Sequence, residues 1–118
     1  MDEVAPERLG DHARRLIEDP TNPVLLSAAS SWEIAVKFAL GKLFLPESPE
    51  TYVPDRMRTS GVTALAVQHS HALRVADLEH HHRDPFDRLL VAQAQIEDLV
   101  LMTADPVFGA YDVETVAA

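Results

Sequence analysis

The sequence predicts an α/β fold with a mainly parallel sheet. Short apolar runs of strand length recur at residues 24–27, 62–65 and 99–103, and runs apolar on both faces mark parallel strands covered by helices. Stretches with apolar residues at helical spacing lie before, between and after them. Turn-forming and cap-forming residues separate the two kinds of segment. Strands alternating with helices define an α/β sandwich.

Each element has its own signal. The chain opens on a helix from Pro6, with Leu9, Ala13, Leu16 and Ile17 at helical spacing, and "EDPTNP" (residues 18–23) stops it with turn residues. Residues 24–27 read as a buried strand. In "SSWEIAVKFALGK", Ser30 and Glu33 are spaced as a capping box, and Gly41 suits the end of that helix. Trp32, Ala35, Val36, Ala39 and Leu40 give it an apolar face. A loop with Pro46 and Pro49 leads to a helix at residues 50–59, interrupted or opened by Pro54. Residues 62–65 form the second strand and 67–76 a helix. The clearest helix is 84–98, where Asp84 is the cap, Pro85 the first helical residue, and Leu89, Ala92, Ile96 and Leu99 share a face. Residues 99–103 are the third strand, "ADPVFGAY" starts a short helix or turn, and 113–116 is a final edge strand. Three clear strands are few for a covered parallel sheet.

At 118 residues, 47% hydrophobic and 25% charged, the chain has the size and balance of one globular domain. No apolar run approaches the roughly 20 residues that cross a bilayer. The polar, acidic start is unlike a secretory signal, and the absence of cysteine excludes a disulfide framework and thiolate metal sites. A soluble cytoplasmic protein is expected. The net charge of −9 argues against nonspecific nucleic-acid binding through a basic surface. A carboxylate cluster holding divalent cations would reverse the field locally, and a basic protein partner also suits the charge.

Three acids fall where a strand ends or a helix begins: Glu33, Asp87 and Asp105. In open α/β sheets ligands bind at the carboxyl ends of the strands. Carboxylates gathered there hold Mg²⁺ or Mn²⁺, which activate water in phosphodiester hydrolysis. Each acid also has a purely structural explanation. Glu33 completes the capping box or pairs with Lys37, Asp87 is favoured by the helix dipole near Asp84, and Asp105 precedes Pro106 as a helix start. Arg88 reads as a phosphate contact or a surface ion pair. Ser27, Ser30 and Thr103 read as donors to carboxylates or as strand-end and capping residues. The four glycines are isolated, so no phosphate loop exists, and no serine-histidine-acid arrangement stands out. His80, His81 and His82 are adjacent and diverge in a loop. His80 with His82, and His69 with His71, lack an evident third ligand for zinc.

The stretches "LLSAASSWEIAVKFALGKLFLP", "HHHRDPFDRLLVAQAQ" and "LMTADPVFGAY", in that order, resemble the signatures of PIN-domain proteins of the VapC toxin type. The resemblance covers roughly residues 17–111 and implies a PIN-like three-layer α/β/α sandwich. It implies a Mg²⁺- or Mn²⁺-dependent endoribonuclease, held inactive by a VapB-type antitoxin and forming a homodimer. By motif, Glu33 in "SSWE", Asp87 in "DPFDR" and Asp105 in "TAD" take the family's metal-coordinating and water-positioning roles. Such proteins begin with an apolar strand ending in aspartate, which nothing here matches; neither Asp2 nor Asp11 follows a strand. The expectation is therefore one PIN-like domain, residues 1–118, truncated at its N-terminus. A catalytically incomplete module that binds only an antitoxin or a sister subunit is the alternative, and histidine-based zinc binding a third.

Overall fold

Ser27 is where the first strand turns into a helix, and its side chain sets the point of change. The computed structural model describes residues 11–80, 84–103 and 105–117. They divide into two compact units, one of residues 23–66 and one of residues 11–22 with 67–117. The expected helix start at Pro6, and the segment where a first strand was sought, lie outside the described residues.

In the unit of residues 23–66, strand β1 (Val24–Ser27) runs directly into helix α2 (Ala28–Ala39), followed by α3 (Pro49–Ser60) and β2 (Val62–Leu65). Ser27 has extended backbone angles, φ −67° and ψ 143°, and its Oγ accepts the Ala29 N–H at 3.0 Å. This satisfies one of the N–H groups that a helix start leaves without an intrahelical partner. The helix therefore begins three residues before Ser31, and the expected capping box of Ser30 and Glu33 does not mark its start, because both lie inside α2. A cap needs extended backbone, which the strand end supplies at Ser27, and Ala28 and Ala29 favour helix from there on. Beyond the other end, Gly41 at φ +72° donates to the Phe38 carbonyl at 3.0 Å, and the Lys42 N–H reaches Lys37 at 2.9 Å. These are the paired bonds of a Schellman turn.

Pro49 opens α3, and Gly61, at φ 69°, closes it with its N–H on the Met57 carbonyl. Pro54 removes one backbone donor without ending the helix. β1 and β2 are parallel, with Val24 opposite Val62 and Ser27 opposite Leu65. The buried side of α2 carries Ala29, Ser30, Glu33 and Ile34, whereas Trp32 and Leu40 of the expected apolar face are 60% and 64% exposed.

The other unit contains α1 (Asp11–Glu18), α4 (His69–Arg74) with a 3-10 turn (Val75–Asp77), and α5 (Pro85–Glu97). It continues with β3 (Leu101–Thr103), a 3-10 helix (Pro106–Ala110) and β4 (Thr115–Ala117). β3 and β4 are parallel, with Leu101 opposite Thr115. Leu78, Val91, Ala92, Phe108 and Tyr111 form the core, with Val75, Leu101, Val107 and Val113 packed against it.

Three boundaries differ from their expected places. Val113 packs on the core, so β4 starts at Thr115. Leu99 still belongs to the turn that closes α5: its N–H reaches the Ala94 carbonyl at 2.9 Å behind Asp98, whose φ is 54°. β3 consequently starts at Leu101. The helix expected at 67–76 starts after Gln68 and tightens to 3-10 geometry from Val75. The expected parallel pairing is present in both units.

Candidate active site

Asp84 fixes the start of α5. Its Oδ1 accepts the N–H groups of Phe86 at 2.9 Å and Asp87 at 3.3 Å, and Pro85 sits where a missing N–H is harmless. Partial burial acts to raise the Asp84 carboxyl, yet the net shift is downward, with the N–H donors of Asp87 and Phe86 among the causes. Asp87 lies in the first turn of the helix and is 2% exposed. A carboxylate at that position is favoured by the helix dipole. One withdrawn from water also needs cationic or hydrogen-bonding company.

Asp105 follows β3 and starts the next 3-10 helix. Its N–H donates to Thr103 Oγ1 at 3.0 Å, and its Oδ1 accepts the Val107 N–H at 3.0 Å. Thr103, itself buried, thus holds the Asp105 backbone, while one carboxylate oxygen of Asp105 serves as a cap.

Glu33, Ser27 and Ser30 belong to the unit of residues 23–66, and Asp87, Arg88, Thr103 and Asp105 to the other. Glu33 is 2% exposed, and the Lys37 Nζ lies 3.3 Å from its Oε2, the expected pairing one turn along. Ser27 and Ser30 are buried, one as the cap of α2 and the other in its first turn. Among the described residues, neither unit by itself gathers three His, Asp or Glu side chains around a common point.

Arg88 is not on the surface. It is 9% exposed, and its Nη1 donates to the Glu79 carbonyl at 3.0 Å and to the Tyr111 hydroxyl at 3.4 Å. Its Nη2 donates to the Val75 carbonyl at 3.2 Å. Sequence reasoning did not single out Tyr111. The available signal was that a buried arginine needs several acceptors, but nothing local says where they are.

The histidines separate. His69 and His80 are exposed, His71 is fully buried, and His81 and His82 lie outside the described residues. Gln68 donates its N–H to His71 Nδ1 at 3.0 Å, and His71 Nε2 lies 2.9 Å from Glu97 Oε1. The Gln93 amide nitrogen is 3.3 Å from Nδ1. His71 thus joins α4 to α5, and neither Gln93 nor Glu97 was marked by sequence spacing.

Parallel strand pairs and a helix starting where β1 ends are the traits of an α/β domain, and Glu33 and Asp87 are carboxylates buried in its helices. A PIN domain profile matches residues 2–114, and the chain belongs to the PIN-domain family. It is similar to Ribonuclease VapC16 of Mycobacterium tuberculosis (strain ATCC 25618 / H37Rv), with 51% identity over 61 residues, a stretch that makes up 52% of this chain and 43% of that protein. No solved structure matches the chain.

Proposed function

We propose that the chain is a Mg²⁺- or Mn²⁺-dependent endoribonuclease of the VapC toxin type, acting as a single PIN-like domain in the cytoplasm. The observation that carries the reading is Asp87, a carboxylate 2% exposed in the first turn of α5, in a PIN-family chain half identical to a ribonuclease over 61 residues. Glu33 and Asp105 are the proposed companions of Asp87 as metal ligands. This donor set suits a hard divalent cation: all three offer carboxylate oxygen, and Glu33 and Asp87 are each 2% exposed. When bound, such an ion supplies an activated water and neutralises charge on the phosphodiester.

The chain's own residues set the geometry. Asp84 holds the backbone of Asp87 through its N–H, and Thr103 holds that of Asp105. Lys37 balances the charge of Glu33. RNA is the proposed substrate, a VapB-type antitoxin the proposed inhibitor, and a homodimer the proposed assembly. Among the described residues no helix is long and apolar enough to cross a membrane.

The test is cleavage of RNA by purified protein with Mg²⁺ or Mn²⁺. Asp87→Asn is expected to lower the rate by more than about 100-fold, beyond the usual effect of losing an outer-shell partner. EDTA is expected to abolish cleavage. Cleavage that persists in EDTA, or that Asp87→Asn leaves unchanged, overturns the mechanism. Binding of an antitoxin encoded next to the chain without any RNA cleavage would favour the interaction module instead.

A further inference from the structure

We infer that Arg88 is a positioning residue for Asp87 and not a contact for RNA phosphate; the inference rests on the ribonuclease reading for what Asp87 does. The guanidinium faces inward at 9% exposure and donates to acceptors 13 residues before it at Val75, nine before it at Glu79 and 23 after it at Tyr111. A planar fork with five donors meets several acceptors at once, which the single ammonium of lysine cannot reproduce.

The location gives this clasp its meaning. Arg88 follows Asp87 in the first turn of α5, and its N–H makes a 3.1 Å bond to the Asp84 carbonyl. Successive helical residues are related by about 100° of rotation and 1.5 Å of rise. Holding the Arg88 side chain against two carbonyls and a hydroxyl therefore sets the rotation of the turn that carries Asp87. Asp84 secures that turn through the N–H groups of Phe86 and Asp87, within its own segment. Arg88 ties it to the 3-10 turn Val75–Asp77, to the chain at Glu79 and to Tyr111. A guanidinium engaged in this way presents little to a phosphate approaching from outside.

Arg88→Lys and Tyr111→Phe in the full chain test the inference. The readouts are the ¹³C resonance of the Asp87 carboxyl, affinity for Mn²⁺ alone, and RNA affinity in EDTA across a salt series. Arg88→Lys is expected to move the Asp87 resonance and weaken Mn²⁺ binding roughly 10–100-fold, the range for residues that orient ligands. Its RNA affinity and salt slope are expected to match wild type. Tyr111→Phe keeps the ring and removes one acceptor, so the same changes are expected at smaller size; it also serves if Arg88→Lys does not fold. An unmoved Asp87 resonance in both variants overturns the inference. So does a salt slope reduced by about one, the mark of a lost phosphate contact. Wild-type protein that binds no Mn²⁺ and cleaves no RNA would overturn the ribonuclease reading, while the Asp87 resonance would still decide the role of Arg88.

Discussion

Helices α3 and α5 have 12 and 13 residues, both begin with proline in the first turn, and both close on a left-handed residue. Yet seven residues of α5 are buried and none of α3 is. Local punctuation sets the limits of a helix, but tertiary packing decides what it can hold in place. α5 carries Asp87 and Arg88 inward, along with Gln93, whose amide reaches His71. α3 presents an exposed ion pair between Asp55 and Arg58, which adds little.

The largest effect expected from this contrast is in the core against which α5 packs. Phe108→Ala should lower unfolding stability by about 3–5 kcal/mol in urea titration, because a fully buried aromatic leaves a cavity. Met57→Ala on α3, where the side chain is only half-buried, should fall well short of that. Equal losses would break the comparison.

Capping provides a smaller test. Asp84→Ala should remove about 1 kcal/mol. Ser48→Ala should remove less, because the Ser48 side chain makes no cap bond at the start of α3. The Asp84 carboxyl titrates below its ordinary value, partial burial opposing the shift and the N–H donors of Asp87 and Phe86 promoting it. Its contribution is therefore present above the unfolded-state value of about 3.9 and disappears as pH falls through the lower folded-state value. Stability curves of wild type and Asp84→Ala should converge in acid; a gap that stays constant to low pH would refute the linkage.

Effects of similar or smaller size come from the C-terminal ends of the helices. Gly61 has φ 69° and open space around a would-be Cβ, so Gly61→Ala should cost about 1 kcal/mol through backbone strain alone. Asp98→Gly, at φ 54°, should gain roughly 0.5 kcal/mol. Opposite signs in thermal melts would support a shared backbone geometry filled by different residues.

The sequence made legible what is decided locally. Residues 24–27 and 62–65 are strands as expected, and Asp84 with Pro85 starts α5 as expected. The start of α2 was harder, since Ser27 and Ser30 are both credible caps and the choice depends on where β1 stops. The buried side of α2 was also hidden: its stripe of Trp32 and Leu40 looked like core, but Glu33 and Ser30 face inward. For the candidate site, the carboxylates could be named from motif and position. The partners of Arg88 and His71 could not, because pairings across nine to 26 residues leave no periodic trace.

The contact with Gln68 decides where His71 keeps its proton. A backbone N–H only donates, so Gln68 requires Nδ1 to be the acceptor and places the ring proton on Nε2, facing Glu97. In that tautomer neither nitrogen has a lone pair left to offer a metal ion. Zinc could enter only by releasing the N–H that starts α4 or the bond that joins it to α5. The most deeply buried imidazole among the described residues is in this way chemically silent, a rivet between two helices.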